Sequence, residues 1–500
     1  MASTQQGQAA KKAAIQVPPT PTERAAQSYI DEKPNWPDGT PVASTPMTTM
    51  QWRIWSLAAA GKFFEGLVVF MTGVALPLIA KEFNISSLQH GLVSAASLTG
   101  ILVGAIGLGG LSDHFGRRTM FIFEMFVFIV FLGLLVSSPN FAWLVVCLFG
   151  LGLALGCDYP TAHLMISESI PSSVRGRLVL GAFGFQALGA LTGTAVGYAV
   201  LKNVPELAAW RWMYATAIIP ALIVTWLRFR VTESAPWLLR RGRVPQATNA
   251  VIRLLHRQPT YPRDVHLASH KQARGTKQGY LNLFHGRNLR ATIFASVPWF
   301  LQDLATYGIG IFTPTILASA FGHKQQHAHH LADLIGNDVM AAKGAALIDL
   351  LLLVGIFAAV LLADKVGRIK LQVIGFIGCA FGLLIASFSA GASPQLSLMF
   401  IFVGFMVFNF MTNMGPNAQT YLIAGEVFPT AIRGKGAGFA AAFAKIGAVA
   451  TAFLFPVLLA DIGTRKLLYF LVLAALLGAV VTWLFRIETT GLDLDTVGNG

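Results

Sequence analysis

The stretch Glu168-Ser-Ile-Pro171-Ser-Ser-Val-Arg175-Gly176 recurs as Glu426-Val-Phe-Pro429-Thr-Ala-Ile-Arg433-Gly434, with the same internal spacing, 258 residues further on. Two more stretches recur beside it. Asp113-His-Phe-Gly116-Arg117-Arg118, preceded by Gly109-Gly-Leu111, has a counterpart in Asp364-Lys-Val-Gly367-Arg368, 251 residues later. Val-Thr-Glu233 matches Arg-Ile-Glu488 at an offset of 255. Three matches at nearly one offset describe a chain made of two copies of one unit.

What that unit is follows from composition. Of the 500 residues 54% are hydrophobic and only 12% are charged, about half the charged share of soluble domains. A soluble fold has too little polar surface here to cover its apolar atoms. Disordered proteins, disulfide scaffolds and nearly all soluble enzymes are thereby excluded. Long charge-poor stretches recur, whereas alternating segments of strand length do not, so helices rather than a barrel cross the membrane. Candidate spans are 54–80, 88–110, 119–137, 141–167, 178–201 and 211–229, then 291–319, 342–362, 371–391, 396–424, 436–460 and 466–486. The expected fold is an all-α membrane protein of twelve helices in two pseudo-symmetric six-helix bundles.

The net charge of +14 sits on alternate connections. Arg117 and Arg118, Arg175 and Arg177, then Lys365, Arg368 and Lys370, then Arg433 and Lys435 lie on one side. Between 240 and 290 there are eleven Lys or Arg and one acid, Asp264. The positive-inside rule then makes both termini and the middle loop cytoplasmic. No nucleic-acid partner is expected; the basic excess is topogenic, with the lipid bilayer as its partner. The organisation expected is a disordered tail over 1–50, a first bundle over 51–232, a middle loop over 233–290, a second bundle over 291–487 and a tail over 488–500. Residues 1–50 lack a signal-peptide pattern. Cys147, Cys157 and Cys379 read as buried small hydrophobes. No cofactor or metal is expected; His323, His327, His329 and His330 read as a solvated loop.

The repeat resembles the major facilitator superfamily over residues 50–492, and more narrowly its phosphate:proton symporters. Gly156-Cys157-Asp158-Tyr159-Pro160 is similar to their fourth-helix signature. Asn413-Met414-Gly415-Pro416-Asn417 followed by Gly425-Glu426-Val427-Phe428-Pro429 is similar to that of the tenth. Trp299-Phe300-Leu301-x-Asp303-x-x-x-Tyr307 resembles their substrate helix, while Gln186 and Lys445 fall at a binding glutamine and a buried lysine. The chain departs from the pattern at Cys157, where the family has glycine. In the first helix Glu65 and Val68 replace two aspartates, with Lys62 one turn earlier. Glu233-Ser-Ala-Pro-Trp237 and the long middle loop also resemble the sugar porters. The resemblance implies proton-coupled import of inorganic phosphate by alternating access. A symporter for a sugar or small organic acid is the alternative, and a non-transporting nutrient receptor a remoter one. No Walker loop, zinc motif or nucleophile elbow points to an enzyme. A monomer in the plasma membrane, or the inner membrane of a bacterium, is expected.

Charged groups inside a span cost about 2.5–3.5 kcal/mol each, so each needs a reason. Trp299, Asp303 and Tyr307 recur every fourth residue and share one narrow helical stripe. Tyr159, Gln186, Trp299, Tyr307, Asn413 and Asn417 can donate to a phosphate, Asp303 can accept from its P–OH, and Lys445 can balance an acid or attract the anion. Glu65, Asp158 and Asp303 are the candidate proton carriers, with Glu65, Asp158, Asp303, Asn413 and Asn417 expected around one central cavity. Lys62 can pair with Glu65 at i, i+3 and weaken its claim. Asp349 and Glu124 lie nearer span ends and read as hydrated or structurally paired. Asp113, Arg117, Arg118, Glu168, Arg175 and Glu233, with Asp364, Arg368, Glu426, Arg433 and Glu488, read as two ion-pair clusters gating the halves.

Overall fold

A computed structural model describes residues 24–32, 47–108, 111–256, 265–267, 280–322, 331–429 and 432–488. The helices are α1 (Ala26–Asp31), α2 (Thr49–Phe83), α3 (Ser87–Val103), α4 (Leu111–Phe115), α5 (Arg117–Val136) and α6 (Phe141–Ser169). They continue as α7 (Ser172–Asn203), α8 (Ala209–Ala215), α9 (Ile218–Arg228), α10 (Ala235–Arg240), α11 (Val244–Leu255) and α12 (Gly286–Gly322). The last are α13 (Leu331–Val366), α14 (Arg368–Ser387), α15 (Pro394–Met414), α16 (Pro416–Glu426) and α17 (Arg433–Phe485). A π-helical turn, Gly104–Leu108, extends α3.

The starts are written locally. Thr48 and Gln51 form a capping box on α2, and Ser86 and Gln89 form one on α3, each pair satisfying backbone N–H groups the first turn cannot. Among the described residues nine helical stretches are long and apolar enough to cross a membrane. The remaining spans are explained by particular residues. Helix α17 leaves helical geometry at Gly463 (φ 76°) and so supplies the eleventh and twelfth spans. The sixth is split into α8 and α9; the tenth, counted among the nine, is broken at Gly415 into α15 and α16. The seventh, α12, carries Gln302, Asp303, Pro298 and Pro314 and is the more polar for it.

The two copies pack alike. The pair α2–α7 has its counterpart in α12–α17, α3–α6 in α13–α15, and α5–α6 in α14–α15. Across the halves, α3 lies on the first part of α17 as α13 lies on α7, and α2 meets α12. Each half also repeats one backbone feature. Gly116 (φ 103°) and Gly367 (φ 93°) precede α5 and α14 in a conformation open to glycine alone.

Two expectations are corrected. Residues 24–32 of the supposed tail are folded: Tyr29 and Ile30 are buried, and the Asp31 carboxylate accepts from Ser172 N and Oγ at 2.7 and 2.8 Å. Apolar side chains in an otherwise polar tail were the signal for this docking. The middle loop carries α10 and α11, whose Trp237, Leu238, Val251 and Leu254 join the same apolar cluster. His323, His327, His329 and His330 lie outside the described residues.

Gly116→Ala and Gly242→Ala separate strain from crowding. Both sit at positive φ, but a Cβ at Gly116 would press on Glu233 whereas one at Gly242 meets open space. Thermal melting in detergent should show Gly242→Ala destabilised by about 1 kcal/mol and Gly116→Ala by clearly more.

Candidate functional site

Helix α2 brings Lys62 and Glu65 to the centre of the molecule, one turn apart on one face. The Lys62 Nζ lies 2.6 Å from Glu65 Oε2. From the second half, the α12 stripe presents Asp303 and Tyr307, and α17 presents Lys445. Lys445 Nζ donates to Tyr307 Oη at 2.7 Å and sits 3.3 Å from Asp303 Oδ2 and 3.5 Å from Glu65 Oε1. Tyr307 Oη donates to Glu65 Oε1 at 3.2 Å, and Gln186 of α7 donates to both, at 3.0 and 3.3 Å. Two cations and two carboxylates thus meet across the halves, all nine-tenths or more buried. Each half brings one cation and one carboxylate, and the opposite charges offset much of the cost of leaving water.

A small cavity of about 20 Å³, room for about one water molecule, adjoins this cluster. Its wall holds Gln186, Thr306, Tyr307, Asn413 and Asn417 on the polar side, and Phe70, Ala187, Ala190 and Leu352 on the apolar side. Asn417 donates to Asn413 Oδ1 at 2.6 Å, and Asn413 donates to the Leu352 carbonyl at 2.8 Å. Trp299 is buried one turn from Asp303, its ring 6.1 Å from that of Tyr421. Gln186, Asp303, Tyr307, Lys445 and Glu65 therefore meet directly, with Asn413, Asn417 and Trp299 beside them. The Tyr159 side chain lies outside the described residues.

Asp158 does not join them. Helix α6 turns it into the first half, where Arg228 Nη2 lies 2.7 Å from Asp158 Oδ1 and Arg228 Nη1 lies 2.9 Å from Glu124 Oε1. The same guanidinium donates to the Phe121 and Leu57 carbonyls and covers the Phe121 ring at 3.5 Å. Consecutive helical residues point about 100° apart, so only one of Asp158 and Tyr159 can face the centre squarely. Glu124, read as hydrated or structurally paired, is 2% exposed and is the paired case, held by Arg228. Arg228 escaped the sequence reading because it closes the sixth span beside Arg230, where basic residues ordinarily mark a membrane edge.

The basic end holds the repeated ion pairs. Arg117 lies 2.8 Å from Asp113 and 3.4 Å from Glu168, and the equivalent Arg368 lies 3.0 Å from Glu426. Arg240 reaches Glu168 at 3.0 Å, and Ser234 Oγ donates to it. Glu233 accepts from Arg118 N at 3.0 Å; burial pushes its carboxyl up, and these N–H groups oppose that. Each of these pairs joins helices of one half, so the expected bridging of the halves is corrected for them. Arg175 bonds the Ile170 carbonyl and Ser172 Oγ rather than Glu168. The Asp364 and Arg433 side chains lie outside the described residues, and Glu488 is exposed beyond α17. Among the described residues, Tyr421 of α16 makes contact between the halves at this end. Its ring stacks on Phe183 at 4.6 Å, and its hydroxyl is 3.2 Å from His163 Nδ1. No local pattern announces that pairing, since it depends on how the copies meet.

A duplicated helical bundle with buried opposite charges at the seam of its halves is a membrane transporter of the major facilitator fold. The partially occluded, inward-open structure of the xylose transporter XylE from Escherichia coli shares this fold, with TM-score 0.70, 21% identity and coverage of 89% of this chain and all of that one. A family profile for sugar (and other) transporters matches residues 43–499, and the chain belongs to that family. The inner membrane metabolite transport protein YgcS of Escherichia coli is 30% identical over 458 residues, covering 91% of this chain and 95% of that protein. A putative inorganic phosphate transporter of Schizosaccharomyces pombe is 26% identical over 522 aligned positions, covering 90% and 88%.

Arg228→Met tests the pairing inside the first half. Leaving two buried carboxylates without their cation should destabilise the protein by about 3–5 kcal/mol. Combining it with Glu124→Gln and Asp158→Asn should restore most of the loss in a detergent melting series.

Proposed function

We propose that the chain is a proton-coupled symporter that imports inorganic phosphate by alternating access, from a plasma membrane in which both termini face the cytoplasm. The observation that carries this reading is the Lys62–Glu65–Lys445–Asp303 cluster spanning the halves. Its formal charges cancel, so an anion entering it adds a negative charge to a low-dielectric site. A proton arriving with the anion removes that cost.

Phosphate monoanion suits the lining because it both donates and accepts. Gln186, Tyr307 and Asn417 supply donors, Lys445 supplies positive charge, and Asp303 or Asn413 Oδ1 supplies acceptors for P–OH. The proton is held by the Glu124–Asp158–Arg228 cluster, which has two carboxyls for one cation and takes up a proton to reach neutrality. Helix α2 connects the two places: Leu57 O accepts from Arg228, Gly61 backs onto Asp158, and Lys62 and Glu65 follow on the next turn. The anion and proton bind while the face away from the basic loops is open, the halves close over them, and both leave on the basic side as Tyr421 parts from Phe183 and His163.

A second reading, a small organic acid, is favoured by the apolar wall of Phe70, Ala187, Ala190 and Leu352, which an organic body would cover and phosphate would not.

Labelled phosphate uptake into proteoliposomes, with and without an inward proton gradient, decides between them. Gradient-stimulated uptake that is lost in Glu124→Gln, with phosphate exchange retained, is expected. Uptake indifferent to the gradient, or absent while a carboxylate is taken up, would reject phosphate symport.

A further inference from the structure

Five acids are fully buried among the described residues: Glu65, Glu124, Asp158, Asp303 and Asp349. The first four each have a Lys or Arg nitrogen within 3.5 Å. Asp349 has none among the described residues. It lies on α13, 1% exposed, at the seam where α13 of the second half packs on α7 of the first. Asn409 of α15 donates to its Oδ1 at 3.1 Å. Its Oδ2 is buried without a partner in hydrogen-bond geometry. Thr194 of α7 faces it, yet the Thr194 hydroxyl donates to the Ala190 and Leu191 carbonyls at 3.2 and 3.1 Å. Of the helices packed on α13, namely α2, α7, α12, α14, α15 and α16, none among the described residues turns a charged side chain to it; the polar neighbours are Thr194 and Asn409.

Packing does not require an acid there. By the repeat offsets of 251 and 258, Asp349, Asn409 and Thr194 correspond to Leu98, Leu151 and Ala452. Those three are buried at 0% in the equivalent seam of α3 with α17. One seam is thus closed by hydrocarbon, and its twin by a carboxyl, an amide and a hydroxyl.

Leu352 and Ala190 line the central cavity, and Asp349 and Thr194 each sit about one turn further toward the face away from the basic loops. An unpaired carboxylate enclosed at that depth costs several kcal/mol. Protonated, the same group carries no charge and has a hydrogen to offer the Thr194 hydroxyl that faces it. Parting of the halves on that face would admit water and let the group ionise.

We propose that Asp349 is a proton-binding latch on the seam: it takes one proton from the far face when α7 and α13 close and returns it to the same face when they open. The step moves no proton across the membrane. It makes closure of the site depend on the pH outside, separately from the coupling proton, and it holds whichever substrate is carried.

The test is distance measurement between spin labels at Leu88→Cys, at the start of α3 in the first half, and Ile462→Cys, beside the Gly463 kink of α17 in the second, both exposed, in lipid nanodiscs without substrate. The three native cysteines are buried. From about pH 5 to about pH 9, a range bracketing carboxyls raised by burial, the parent should shift from the short to the long distance. Asp349→Asn, a fixed neutral group, should stay short throughout; Asp349→Glu should keep the shift; Thr194→Val, lacking the acceptor, should open at lower pH than the parent. A parent distance that ignores pH, or the same shift in Asp349→Asn, overturns the proposal. Substrate and gradient are absent, so failure of phosphate symport leaves this result readable.

Discussion

The meeting of Glu65 with Lys445 and Tyr307 is the contact on which the rest depends, because its members come from different halves. Helix α2 carries Lys62 and Glu65 as a pair of its own at 2.6 Å, α12 and α17 carry Asp303 and Lys445 as another at 3.3 Å, and the Glu65–Lys445 contact at 3.5 Å joins the two pairs across the seam. Neither set is satisfied by lipid. The site is therefore also the electrostatic bond between the halves, and whatever enters must exchange contacts with it. In the proposed cycle, a ligand that replaces Glu65 as partner of Lys445 would alter how firmly the halves are joined and so link binding to movement.

The second charge cluster has a different character. Arg228, Glu124 and Asp158 lie inside one half, touch backbone carbonyls of α2 and α5, and leave one acid in excess. A balanced cluster lies at the seam and an unbalanced one behind it; in the proposed symport the first would meet the anion and the second would hold the proton that offsets it. At the basic end a similar division holds. The repeated Arg–Glu pairs stitch each half together, and aromatic contact through Tyr421 closes the gap between halves.

Much of this was legible in the sequence. The repeat set the two bundles, and residues every fourth position on α12 put Trp299, Asp303 and Tyr307 on one side. Resemblance supplied Gln186 and Lys445, and the structure sets both beside Tyr307. The failures share a cause. Asp158 was assigned to the centre with the fourth-helix signature that carries it, but neighbours on a helix diverge by about 100°, and Asp158 turns to Arg228 instead. Arg228 was hidden at a span edge, where an arginine has an innocent explanation. The bridging role given to Arg117, Glu168, Arg368 and Glu426 required knowing which helices face across the seam, and that depends on how the halves dock. Asp349, read as hydrated or structurally paired, is buried and accepts from Asn409, a depth that sequence shows only coarsely. Residues 24–32 were read as disordered on composition, although Tyr29 and Ile30 supplied an anchor.

The account stands most directly on protonation linked to binding. Calorimetric titration of phosphate into the purified transporter, in buffers of matched pH and differing ionisation enthalpy, counts the protons taken up per anion bound. The neutral central cluster predicts close to one. A value near zero, with phosphate bound, would mean that the buried charges accept an anion without neutralisation, and the account would be contradicted.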